Sequence, residues 1–271
     1  MMKRWIKSAA AVGFLILFLP YTMTLLINGK EGIHKETELP WLEYQVLSRL
    51  MQEDYSWMEE GTLDLMAILC RTECLREQNL GVKPEEWTVD PYDNNYERAY
   101  EAVVRTQGQA VTIGDTYREL PYHVVSSGRT RDGVLLGETY AYIQAVDCPL
   151  DKESEAYLRS YRIRKEDLTS VLGQAFALES LQLDRDTSDY VSWLGAGEIR
   201  WKGEEFRSRL HLPSSCFFLE EKDEEIQVTV KGSGHGFGIS LYTANRLVQE
   251  GQEAPEIFQK FYQDAKCITI P

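Results

Sequence analysis

From Ser8 to Ile27 the chain runs through about 20 residues, SAAAVGFLILFLPYTMTLLI, without a charge. Wound as a helix, a stretch of that length matches the ~30 Å hydrocarbon core of a bilayer, so a membrane span is predicted over residues 8–27. Lys3, Arg4 and Lys7 precede it, and cations before a span hold that end in the cytoplasm. Residues 1–7 are therefore read as a cytoplasmic N-terminus, 28–40 as a linker, and 41–271 as one extracytoplasmic domain on a single-pass anchor in the cytoplasmic membrane. A cleaved signal peptide shares the charged start and the apolar run. No small-x-small cleavage site follows, which favours the retained anchor. Pro20 kinks such a helix without defeating it.

The net charge of -14 excludes nucleic acid as a partner, because affinity for phosphate backbones comes mostly from Lys and Arg. Cys70, Cys74, Cys148, Cys216 and Cys267 are odd in number and too sparse for a disulfide-built scaffold. Cys70 and Cys74 put two sulfurs on one helix face, but no second ligand pair follows them. Neither a metal nor a cofactor is expected.

Beyond the linker, Leu42, Val46, Leu47 and Leu50, then Leu63, Leu65, Ile68 and Leu69, recur at helical spacing. Two helices are predicted in Trp41–Gln78, broken at Asp54–Gly61. Ala110 to Cys148 reads as short β-rich pieces (AVTI, YHVV, YAYIQAV) between Gly and Asp, and Lys165 to Leu183 reads as helix again. Strands resume at Tyr190, with a hairpin turning at Gly195-Ala196-Gly197 and an alternating strand at Ile226–Val230. Helical segments are expected at Tyr242–Gln249 and Glu256–Asp264. Helices and antiparallel-looking strands without regular βα alternation indicate an α+β fold.

The densest special segment is Gly232-Ser-Gly-His-Gly-Phe-Gly-Ile-Ser240, placed between a strand and a helix. Its glycines permit positive φ and close approach of a ligand to the backbone. A phosphate cradle lacks its Lys-Ser/Thr here, and a tight structural turn is the plain alternative. Together with other segments in the same order, it resembles the SpoIID family, which acts on peptidoglycan. GSGHGFGISLYTANRL is similar to the family's G-x-G-H-G-x-G-M-S-Q-Y-G-A, and GEEFRSRLHLPSSCFF to its G-x-x-F-R-x-x-L-x-L-P-S-x-x-F. TQGQAVTIGDTYRELPYHVVSSGRT resembles the family's strand pattern ending in a Ser/Gly turn, and YAYIQAVDCPLD its P-Y-L-x-x-V segment. VLSRLMQEDYSW followed by LMAILCRTE resembles the helix with the catalytic glutamate and then A-V-A-A-R-T-Y.

The resemblance implies a lytic transglycosylase that cleaves between muramic acid and glucosamine, giving 1,6-anhydro products during spore engulfment, with a sporulation amidase as possible partner. It puts Glu53 in the catalytic position. A single acid protonates the glycosidic oxygen and then, as carboxylate, takes the proton of the sugar's own C6 hydroxyl, unlike the two carboxyls of a hydrolase. Tyr55 and Trp57 are expected as apolar walls of its pocket. By the same resemblance Arg71 orients Glu53 or the muramyl lactyl carboxylate. Ser126, Ser127, Gly128, Arg129, Thr130, Tyr142, Gly234, His235, Gly236 and Ser240 complete a glycan-binding cleft. His123 precedes the Ser/Gly turn. Asp64, Met66, Glu73, Leu241 and Thr243 stand where relatives carry Lys, Gln, Tyr, Gln and Gly. A scaffold that binds glycan or the amidase without cleaving is the alternative.

Overall fold

A computed structural model describes residues 39–85, 87–172, 180–196, 199–223 and 225–270. The expected span at 8–27 and most of the linker lie outside the described residues; among those described, no helix is long and apolar enough to cross a membrane.

Helix α1 (Trp41–Leu50) buries Val46, Leu47 and Leu50. Helix α2 (Glu60–Asn79) is buried almost all round, through Leu63, Leu65, Met66, Ala67, Ile68 and Leu69. A helix buried on most sides along its middle belongs at the centre of a core. Around α2 pack α1, the amphipathic α3 (Tyr96–Arg105), and strand β1 (Gln109–Ile113). From the other end of the chain come α6 (Leu241–Gln249) and α7 (Ala254–Phe261). Strand β1 pairs antiparallel with β10 (Ala265–Thr269).

A second core lies between two antiparallel three-stranded sheets. One has the order β3 (Leu158–Arg164), β8 (Glu225–Lys231), β7 (Phe217–Lys222), and the other β4 (Gln182–Arg185), β5 (Val191–Ala196), β6 (Ile199–Lys202). Alternation along β8 turns Ile226, Val228 and Val230 inward, as period-2 geometry requires. They meet Leu194, Trp201 and Phe206 of helix α5 (Gly203–Arg209), with the Phe206 and Phe217 rings 4.8 Å apart. Helix α4 (Lys165–Leu172) adds Leu168.

Two short strands, β2 (Tyr122–His123) and β9 (Ile239–Ser240), form a parallel pair. Gly238, at φ +68°, permits it: a Cβ there would lie 1.8 Å from the Pro121 carbonyl oxygen.

The mixture of helices and sheets agrees with the sequence reading, and three local expectations are corrected. The helix expected over Lys165–Leu183 covers Lys165–Leu172, residues 173–179 lie outside the described set, and Leu183 belongs to strand β4. Ala110–Cys148 carries strand only at β1 and β2; the remainder is 3-10 turns and single bridges, such as Arg129 to Asp147 and Ile143 to Tyr262. Its Gly and Asp residues turn the chain before a ladder can extend. Arg71, expected to face substrate, is fully buried. Its Nε and Nη2 bond Glu43, at 2.6 Å for the shortest contact, while the guanidinium also donates to Thr106 Oγ1, Gln109 O and Val103 O. The fork is thereby fully engaged inside the helical core.

Removing one member of a buried pair strands the other charge. Arg71→Met is therefore expected to cost about 3–5 kcal/mol, with the double variant Glu43→Gln/Arg71→Met recovering part of it, as measured by urea unfolding.

Candidate functional site

The loop between α1 and α2 carries Glu53 to the rim of a cavity of about 240 Å³. Leu69, Cys70, Leu120 and Tyr122 supply its apolar wall, and Trp87 closes another side. Tyr55 is buried in the helical core, its hydroxyl donating to Met51 Sδ and Asn95 O, and Trp57 is absent from the lining; the walls expected from these two come from elsewhere. Asp54 turns back on Ser56, accepting from its N–H and Oγ.

Glu53 is exposed, and the Tyr122 hydroxyl donates to its Oε1 at 2.8 Å. Burial, reinforced by Cys70 and Glu53 itself, pushes the Tyr122 phenol far above its ordinary range, so it stays a donor. Burial likewise pushes the Cys70 thiol up to about 12, leaving it uncharged. The other two acids of the cavity are engaged: Glu73 is bonded at both oxygens by Arg76, and Glu119 accepts from the Tyr140 hydroxyl. Of the two cavity arginines, Arg49 pairs with Glu77. Arg118 is exposed and lies 5.9 Å from the Tyr142 ring centroid, with no carboxylate partner among the described residues.

The residues expected from the Ser/Gly turn and the glycine-rich segment do come together, but most of their polar atoms face inward. Their meeting point is Asp151, fully buried. It accepts from Ser126 N at 2.8 Å, Ser126 Oγ at 2.5 Å, Ser240 Oγ at 2.8 Å and Thr243 Oγ1 at 2.7 Å. Desolvation raises the Asp151 pKa, and the bonds from Ser126, Thr243 and Ser240 oppose that rise. Ser240 also caps α6, accepting from Thr243 N. Thr130 is buried, its Oγ1 bonded to Gln144 O, and Ser127 Oγ donates to Ser188 O. Arg129 pairs with Asp147 at the surface. Gly128 donates from its N–H to Ser126 Oγ, and Gly234 to Pro213 O. At Gly234 (φ +113°) a Cβ would fall 2.5 Å from His123 Cβ. The Gly236 carbonyl accepts from Arg131 N, and the Tyr142 hydroxyl donates to Glu119 O beside the cavity. Arg71, Ser126, Thr130 and Ser240 thus hold the frame rather than presenting donors to a ligand.

Sequence reasoning missed Tyr122, Arg118 and Asp151. Asp151 ends the quoted segment YAYIQAVDCPLD, yet its partners lie 25 to 92 residues away, a relation no local spacing announces. Among the described residues, no group of three or more His, Cys, Asp or Glu is arranged to hold a metal.

No family model matches the chain. Over 183 residues it is 28% identical to stage II sporulation protein D of Bacillus amyloliquefaciens, covering 66% of this chain and 53% of that protein. Over 176 residues it is 27% identical to the protein of the same name from Bacillus subtilis strain 168, covering 64% and 51%. These two matches support membership of the SpoIID family as a divergent member. It spans about half the length of these curated relatives.

The departures from the SpoIID pattern have identifiable places. Asp64 pairs with Arg105, Met66 and Leu241 are buried, Glu73 pairs with Arg76, and Thr243 supplies a donor to Asp151.

His123 is buried, with Nδ1 3.1 Å from Phe237 O and Nε2 without a hydrogen bond among the described residues. Burial first, then His235 beside it, lowers its pKa to about 3 from 6.5. Because the folded pKa is depressed, the unfolded chain binds the proton first as pH falls. Stability present above pH 6.5 is lost progressively toward pH 3. Between pH 6.5 and 5 the loss from His123 is expected to be about 2 kcal/mol. The His123→Gln variant should show a correspondingly flatter pH profile in urea unfolding, and parallel profiles would refute this.

Proposed function

We propose that this chain is a membrane-anchored lytic transglycosylase acting on peptidoglycan outside the cytoplasmic membrane during sporulation. The observation that carries the reading is Glu53: a carboxylate at the rim of a cavity, fixed at one oxygen by Tyr122 while the neighbouring acids are engaged elsewhere. The relatives' name supports the sporulation role, and the charge pattern of residues 1–27 supports the anchor.

In this mechanism the Tyr122 bond to Oε1 limits rotation of the Glu53 carboxyl, leaving Oε2 to handle the proton. Glu53 protonates the glycosidic oxygen as the bond to C1 breaks. It then takes the proton from the C6 hydroxyl as that oxygen closes on C1, so one group serves as acid and then base. Atoms balance without water, and the product is an anhydro ring.

Arg118 takes the role that the family resemblance implies for Arg71. Its open guanidinium at the cavity suits the lactyl carboxylate of muramic acid, the kind of planar anion that arginine binds by two parallel hydrogen bonds. In a chain of charge -14, such a cation also offsets repulsion of an anionic polymer.

Full-length protein in detergent, incubated with glycan strands stripped of stem peptides, should release fragments ending in 1,6-anhydromuramic acid, detected by mass spectrometry. Glu53→Gln should lower the rate at least about 100-fold. Unchanged product release by that variant would reject the assignment. No anhydro product from the wild-type chain, beside an active relative, would reject transglycosylase activity. Arg118→Ala should raise KM about fivefold with kcat little changed, and Arg118→Lys should restore part of the loss; the modest size reflects an exposed charge pair.

A further inference from the structure

Outside the cavity, the same loop that carries Glu53 presents Trp57, which is 36% exposed. Its ring stacks on Tyr242, with centroids 6.3 Å apart and planes inclined by 27°. Tyr242 lies in the first turn of α6, and its N–H donates to the Val124 carbonyl at 3.0 Å. Val124 stands two residues beyond Tyr122, the residue that bonds Glu53. Val124 lies in the bend that follows β2 and is 40% exposed. Glu53, Tyr122, Val124, Tyr242 and Trp57 therefore form a circuit, closed through the loop on one side and through β2 and α6 on the other.

Asn245, also on α6, accepts from Glu59 N at 2.7 Å and Thr62 Oγ1 at 2.8 Å, which pins the far end of the Trp57 loop to the helix carrying Tyr242. Gln249 adds a bond to Glu59. An indole stacked on one side and partly open to solvent, in a loop whose far end is held by a buried amide, is organised before any ligand arrives. Aromatic faces of this kind suit the C–H face of a pyranose ring, which is apolar while its edge is polar.

We infer that Trp57 on Tyr242 is a saccharide subsite next to the Glu53 cavity, gripping a pyranose of the same glycan strand one or more units from the bond being cleaved. This rests on the glycan reading above and adds a second contact point to it.

The test uses full-length Glu53→Gln protein in detergent, which holds glycan without turnover, titrated calorimetrically with defined oligosaccharides from stripped glycan. Trp57→Ala in this background should weaken binding about tenfold. Trp57→Phe, which keeps a stacking face, should bind within about threefold of the parent. Tyr242→Leu, which removes the support under the indole, should lose affinity in the same direction as Trp57→Ala. Thermal melting of each variant separates loss of the subsite from loss of the fold. Equal affinity of Trp57→Ala and the parent would overturn the subsite and leave the glycan reading standing, as would a Trp57→Phe loss equal to that of alanine. Absence of binding by the parent would overturn both.

Discussion

A carboxylate taken out of water is costly unless donors replace its hydration, and Asp151 is fully buried with a backbone N–H and three hydroxyls around it. Those donors come from segments distant in the chain: the turn at Ser126, the end of β9 at Ser240, and the first turn of α6 at Thr243. The bonds therefore do more than satisfy one acid. They set β2 beside β9, place the start of α6 against β2, and so decide where Tyr122 and Tyr242 stand. Glu53 depends on this arrangement through the Tyr122 hydroxyl.

Between the two cores, Arg131 plays a related part. Its guanidinium lies between the rings of Tyr190 and Phe237, at 4.9 and 4.4 Å, and donates to Asp186 at 2.7 Å. Tyr190 in turn accepts from Ser127 N and supports Gly236, where a Cβ would sit 2.4 Å from the ring. Charge, ring and glycine are mutually dependent here, since a side chain at 236 would displace the tyrosine on which the arginine stacks.

The elements with long, one-sided or all-round apolar patterns were legible in the sequence. The two helices broken at Asp54–Gly61, the strand at Ile226–Val230 and the helix before Gln249 all appear where their periodicity put them. Less legible was everything held by side chains. Ala110–Cys148 has strand-like residues, but its backbone is tied by Asp151, Thr130 and Arg131, whose partners no local window contains. For the same reason Arg71 looked available and is not: a guanidinium on a helix that is buried all round must find its anion inside, and Glu43 is 28 residues away. Glu53 was found through the family resemblance, whereas Tyr122, adjacent to the noticed His123, had no signal in composition or spacing. Arg118 stands in a polar stretch with nothing to distinguish it until the cavity is seen.

Strand β10 closes on β1 across more than 150 residues, and α6 and α7 pack on a helix that begins at Glu60. Contacts of such span form slowly, because a long loop must close before they contribute. A chain made from its N-terminus at ~5–20 residues per second has Glu53 early and its surroundings late. The helical core lacks two of its helices until Phe261 is made, and β1 has no partner before Thr269. Without β9 and α6, Glu53 has neither the strand pair that holds Tyr122 nor the braced loop. Glu53 and the Tyr122 hydroxyl that bonds it therefore meet in their folded arrangement only once β9 and α6 have been made.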